Sequence, residues 1–264
     1  MGNYLPHMNW RQARDAAARG AVAIVPIGTV EANGPQLPLG YDTLVSEALA
    51  KQAAERTGDV WLPPVFYGVS EAIDAFPGTI SVSPAFLAQQ IEGILDGLER
   101  SGFGKILLIT HHGPNQTPAE IAGRNFRRRT GRLIASINPA RIARDLGGDL
   151  FRADEMGHGA EPSVSLMMHL HPGSVTDGGP SDPAKGTVLG LPVSTPNSVV
   201  FGKSEVDMFL QLEEVSPSSG WGNSTGGSEK RGAELFSRML DYTVAFLKHL
   251  HGQDTRVAPP KIVG

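Results

Sequence analysis

The sequence predicts an α/β fold, with a parallel or mixed sheet covered by helices on both faces. Three observations carry this. Ala21-Val-Ala-Ile-Val-Pro-Ile27 and Lys105-Ile-Leu-Leu-Ile-Thr110 are short apolar runs of the kind buried inside a parallel sheet. The segments around them hold apolar residues at helical spacing, so strands and helices alternate. Carboxylates and imidazoles follow both runs directly, where open α/β sheets place their active sites.

The elements follow in order. After the first strand, Leu44, Val45, Ala48, Leu49 and Ala53 lie on one face of a helix over 42–57, which Gly58 can close. Val60-Trp61-Leu62-Pro63 is a short strand. Ser83-Pro84 reads as an N-cap followed by proline at the first helical position. From there Phe86, Leu87, Ile91, Ile94, Leu95 and Leu98 line a face that ends at Gly102. Thr117-Pro-Ala-Glu120 has the spacing of a capping box and opens a basic helix to about Arg129. Leu133–Ile137 is a further strand, followed by a helix near 139–147 and another over 162–170. Residues 173–228 are rich in Gly, Pro, Ser and Thr with little helical period. So long a stretch reads as an elaborated excursion with short strands, near the site or at a subunit contact. Glu229–Leu250 is a final amphipathic helix, and the tail over 252–264 is expected to be mobile. The chain, 1–264, is expected to form a single domain.

Composition narrows the function. The 264 residues carry a net charge of −4, which gives no electrostatic case for nucleic acid or an anionic membrane. No cysteine is present, so disulfides, thiolate zinc sites and a cysteine nucleophile are excluded. The N-terminus shows no secretion signal and no apolar run approaches the roughly 20 residues of a membrane span, so the expected location is the cytoplasm.

Three constellations carry chemistry. In Glu31-Ala-Asn-Gly-Pro-Gln-Leu-Pro-Leu-Gly-Tyr-Asp42 two carboxylates follow the first strand. Both are hard oxygen ligands for a divalent cation, although Asp42 also suits a helix N-cap. His111-His112-Gly-Pro-Asn115 follows the second run. Strand alternation would point the two imidazoles in opposite directions, so only one of the pair, His111 or His112, is expected to face the site. Gly157-His158-Gly-Ala-Glu161-Pro162 is the third. Glu161 can complement a helix N-terminus or face the cleft. No G-x-S-x-G elbow, P-loop or G-x-G-x-x-G fingerprint is present, and the remaining residue set favours metal-activated water.

These residues carry a family resemblance. Pro26-Ile-Gly-Thr-Val-Glu-Ala-Asn-Gly-Pro-Gln-Leu-Pro-Leu-Gly-Tyr-Asp42 resembles the creatininase (creatinine amidohydrolase) signature, roughly P-x-G-S-x-E-Q-H-G-P-H-L-P-L-G-T-D. The similarity continues in Phe76-Pro-Gly-Thr-Ile-Ser81, in His112-Gly-Pro-Asn115 and in Gly157–Glu161. It extends to Gly220–Gly232 and so spans most of residues 20–250. The resemblance implies a three-layer α/β/α sandwich with a mostly parallel sheet, usually a homohexamer. It also implies one or two divalent metals (zinc, manganese or iron) and hydrolysis of amide bonds in small cyclic or formylated compounds. By motif position Glu31, Asp42 and His112 match metal ligands, and His158 matches a histidine that handles substrate or protons.

Several positions depart from the pattern. Asn33 stands where the family has a metal-binding histidine, Gln36 replaces a second histidine, and Ile73 lies near the place of a third. Ser163 aligns with a family glutamate, and Glu161, two positions earlier, is expected to take over as ligand and to act with His158. One tight metal site is therefore expected, with Asn33 at a weak second one. The expected function is metal-dependent hydrolysis of a C–N bond in a small cyclic amide or formamide-like compound. The alternatives are hydrolysis of a cyclic ketone or lactone in sugar or cyclitol catabolism, and a non-catalytic small-molecule-binding homologue.

Overall fold

Four parallel strands form the central sheet: β1 (Val22–Ile27), β2 (Val60–Trp61), β3 (Lys105–Thr110) and β4 (Ala135–Ile137). The computed structural model describes residues 3–180, 186–195 and 197–257. The strand order is β2-β1-β3-β4, with Val22 opposite Lys105 and Ile27 opposite Thr110. From β1 the chain steps to β2 on one side, then returns to β3 on the other. The crevice between the carboxyl ends of β1 and β3 is thus the switch point at which such sheets bind ligands.

Both sheet faces are covered, which explains why all six residues of β1 are buried. Val22 and Ile24 pack with α2 (Tyr41–Thr57), α5 (Pro139–Leu146), α6 (Ser163–Leu170) and α7 (Glu229–His251). Ala23, Val25 and Ile27 face the other way, onto α1 (Trp10–Ala18), α3 (Pro84–Arg100) and α4 (Gln116–Thr130). The period-2 alternation of a strand therefore feeds two separate cores, and the three expected layers are present.

Several helix ends follow local chemistry, and one expected cap fails. Ser83 caps α3 through the Phe86 N–H, with Pro84 at the first helical position, and Gly58 closes α2 in the left-handed region at φ 79°. The capping box expected at Thr117 does not form. Helix α4 begins one residue earlier, at Gln116, and no side chain caps it. The Asn115 side chain that precedes it is committed elsewhere: it accepts from Val69 N–H (2.8 Å) and donates to the Gly28 carbonyl (2.9 Å).

The excursion contains a second, antiparallel sheet of β5 (Thr187–Val188), β6 (Leu191–Thr195), β7 (Ser198–Phe201) and β8 (Ser204–Asp207). Its own core is small, made of Val193, Val199 and Leu210. The segment expected to be mobile after Gly252 is pinned as far as it is described. Thr255 accepts from Leu133 N–H and Arg256 bridges Arg132, so the chain runs along the β4 edge. The rest of that expectation, 258–264, lies outside the described residues. No helix among the described residues is long and apolar enough to cross a membrane.

Candidate metal centre

The β1–α2 connection brings Glu31 and Asp42 to the switch point. Gly28 makes the entry possible, since a Cβ there would stand 2.2 Å from the Thr43 hydroxyl. Helix α2 starts at Tyr41 with Gly40 as its N-cap, so Asp42 is not the cap. It occupies the first turn, where the helix dipole favours a carboxylate, and its side chain turns to the histidines.

Both histidines meet Asp42, which corrects the expectation that only one faces the site. Strand β3 ends at Thr110, the chain turns at His112, and alternation stops with the strand. His111 Nδ1 lies 2.6 Å from Asp42 Oδ1, and His112 Nδ1 lies 3.4 Å from Asp42 Oδ2. His112 Nε2 donates to the Val69 carbonyl at 2.7 Å and sits 3.3 Å from Glu31 Oε2. The Ser70 hydroxyl donates to Glu31 Oε2 at 2.7 Å and lies 2.6 Å from the Thr29 hydroxyl. Among the described residues, Glu31, Asp42 and His112 each offer a ligand atom, all within 4.8 Å of one another.

The donor set fits a divalent cation. Asp42 Oδ2 is buried and accepts no hydrogen bond, and a bare carboxylate oxygen inside a protein is costly unless a cation meets it. The His112 Nε2–H bond to Val69 leaves Nδ1 to offer its lone pair, the orienting arrangement usual for a metal-bound imidazole. Burial opposes charge on His112, but Glu31 and Asp42 outweigh it and push its pKa up to about 9. Burial likewise raises Asp42, yet His111 and His112 hold it well below the usual carboxylate range. The cluster therefore already compensates carboxylate charge with a proton, which a bound cation would replace.

His158 stands beside this group. Its Nε2 lies 3.5 Å from Glu31 Oε1, its Nδ1 donates to the Ser219 carbonyl at 2.6 Å, and its ring stacks on Trp221. Burial lowers its pKa, but the Glu31 contact and charge leave a net rise. Asn33 donates to Glu31 Oε1 over 3.4 Å and so reaches the edge of the cluster. Gln36 instead donates to the Gly159 carbonyl, and Ile73 is buried with Ala32 and Leu212 in an apolar group beside Trp221.

Glu161 is placed otherwise than expected. It is fully buried, but Ser165 N–H, Ser165 Oγ–H (3.0 Å) and Arg231 Nη2 (3.3 Å) occupy its carboxylate, and it stands outside the ligand group. The competing sequence reading, a carboxylate that serves a helix start, describes it better. Burial pushes its pKa up, against the pull of Ser165 and Arg231. The sequence reading also missed Ser70, Tyr41 and Ser219. Their contacts join residues 39, 70 and 61 positions apart, so no local spacing announces them.

Comparison with known proteins identifies the family and the fold. The family model for creatininase, creatinine amidohydrolase, matches residues 6–247. A 3-dehydro-scyllo-inosose hydrolase of Thermotoga maritima is 30% identical over 113 residues, which cover 42% of this chain and 36% of that protein. A mycofactocin precursor peptide peptidase of Mycolicibacterium smegmatis is 30% identical over 163 residues, covering 58% and 60%. The chain thus spans well under two thirds of the length of either curated relative. A manganese creatininase structure superposes with a TM-score of 0.79 over 96% of this chain and all of the other, at 19% identity, a likeness of fold. The chain belongs to the creatininase family.

Proposed function

We propose that this creatininase-family chain is a metal-dependent hydrolase that cleaves a C–N bond of the amide type in a small molecule. The observation that carries this is the bare, buried Oδ2 of Asp42, which shares a ligand group with Glu31 and His112. A divalent cation (zinc, manganese or iron) held by these three residues would lower the pKa of water toward neutrality and polarise a carbonyl. The Ser70 hydroxyl orients Glu31, and the Val69 carbonyl orients His112. His158 carries the proton chemistry. Against burial, the Glu31 contact raises its pKa above the ordinary imidazole value, and the Ser219 carbonyl fixes Nδ1–H, so Nε2 is the atom that passes a proton to a leaving nitrogen.

Asn33, at the Glu31 Oε1 edge of the cluster, is placed to assist a second cation. A neutral amide oxygen holds zinc poorly, so a single tight site is the reading adopted. Glu161 serves the start of helix α6 and pairs with Arg231 rather than acting as a ligand or catalyst. Exposed Leu189, Phe201 and Phe209 on the antiparallel arm favour a homo-oligomer, as the family resemblance implies, with a hexamer the expected size. Light scattering checks it.

A second reading draws on the 3-dehydro-scyllo-inosose hydrolase relative: the same centre would open the ring of a cyclic ketone or lactone. The test is a panel of lactams, hydantoins, formamides and cyclic ketones, assayed before and after chelator treatment. Chelator-sensitive turnover of the amides supports the first reading, and turnover confined to ketones or lactones supports the second. If the protein retains no metal and hydrolyses nothing in the panel, the non-catalytic binding reading replaces both.

A further inference from the structure

We propose that His111 is a positioning residue for the metal centre, an inference that rests on the metal-site reading above. Its Nδ1–H holds Asp42 Oδ1 so that Oδ2 is the oxygen presented to a cation, and Tyr41 fixes the tautomer that makes this possible.

The geometry is asymmetric. The two oxygens of Asp42 have different surroundings: Oδ1 lies 2.6 Å from His111 Nδ1, whereas Oδ2 has no hydrogen-bond partner. At that distance Nδ1 carries a proton and donates a charge-assisted bond. The other nitrogen, Nε2, faces the Tyr41 hydroxyl at 3.3 Å, and the two rings meet edge to face at 5.0 Å. The Tyr41 hydroxyl is an ordinary phenol, protonated near neutral pH, and can donate to Nε2. The donors therefore run one way, from Tyr41 through His111 to Asp42.

The backbone is fixed as well. His111 N–H donates to the Ser46 hydroxyl at 3.3 Å, and that hydroxyl donates to the Ile27 carbonyl at the end of β1. Both ring nitrogens of His111 are thus committed, and it has no free lone pair for a cation. This separates its role from that of His112, whose Nδ1 points toward the bare oxygen. Without the His111 donor, both Asp42 oxygens would be free to rotate and to compete for the nearby donors.

The amide nitrogen of Asn stands where Nδ1 of His stands, and that of Gln where Nε2 stands, so the two variants separate the two contacts. The experiment measures zinc and manganese affinity of the full chain by competition with a chromophoric chelator, and the visible spectrum of the cobalt-loaded protein. Melting of the chelated protein serves as a folding control. His111→Ala and His111→Gln are expected to weaken binding by about 10–100-fold, the usual effect of losing such a partner. His111→Asn is expected to stay within a few-fold of the unmodified protein and to keep its cobalt spectrum. Tyr41→Phe is expected to fall between them. If His111→Ala does not fold, the Asn and Gln variants decide. Equal affinity in the Gln variant and the unmodified protein overturns the proposal, as does an Asn variant no better than Gln. If the unmodified protein binds no cation, the metal-site reading falls too, so the two failures are distinguishable.

Discussion

Two buried aspartates, each paired with a histidine, sit at opposite ends of the same parallel sheet, and their difference shows how to tell a scaffold from a site. At the amino ends of the strands, Asp59 Oδ1 accepts from Val22 N–H and pairs with His251 Nε2, both at 2.8 Å, while Oδ2 accepts from the Thr57 hydroxyl at 2.6 Å. Every oxygen there has a donor. At the carboxyl ends, Asp42 has one oxygen held by His111 and the other bare. A satisfied buried carboxylate stitches strands to a helix terminus. An unsatisfied one is tolerated where something else is meant to bind.

The sharpest way to break this comparison is to remove one ligand. His112→Ala is expected to lower metal affinity at least about 100-fold and to abolish hydrolysis with it, because it deletes the imidazole ligand of a three-residue group. Retained affinity in a chelator competition would contradict it. Next comes a paired substitution. Asp42→Asn should lose metal and, with the charge that faces His112 gone, should weaken the pH dependence of melting in the chelated protein. Asp59→Ala should keep metal affinity but lose on the order of 3 kcal/mol of stability, since it strands the buried Val22 N–H and takes away the partner of His251 Nε2. Urea denaturation of both chelated variants checks the contrast, and a swapped pattern would invert the assignment.

The pH dependence follows from His112. Its pKa in the folded, metal-free protein is pushed up to about 9, above the usual 6.5. Its charged form therefore adds stability that is complete below pH 6.5 and is lost as pH rises through 9. The chelated protein should melt at progressively lower temperature across that interval, whereas the metal-loaded protein, with a neutral His112 already, should not. Titration calorimetry in buffers of different ionisation heat should show about one proton released per metal near neutral pH. The smallest effect is expected for Asn33→His, which should raise the retained metal above one equivalent by elemental analysis. An unchanged stoichiometry would mean that residue 33 does not reach a second site.

Much of this was legible in the sequence where the signal is local. The unbroken run of β1 announced a strand covered on both faces, and Glu31, Asp42 and His112 were marked by their place just past strand ends. What failed did so because distant residues decide it. Arg231, seventy positions away, claims the Glu161 carboxylate. Helix α4 already starts at Gln116, which puts Thr117 inside the helix, so the Thr117 capping box never forms. The turn after Thr110 brings His111 to Asp42 beside His112, which strand alternation alone forbids. The Ser70–Glu31 and Ser219–His158 contacts leave no periodic trace at all.

Anomalous X-ray scattering at the zinc, iron and manganese edges, from crystals of untreated protein, tests the central claim most directly. The account predicts one strong peak about 2.0–2.3 Å from Glu31, Asp42 Oδ2 and His112 Nδ1. No peak at that position, a peak held by Glu161 instead, or two peaks of equal occupancy would contradict it.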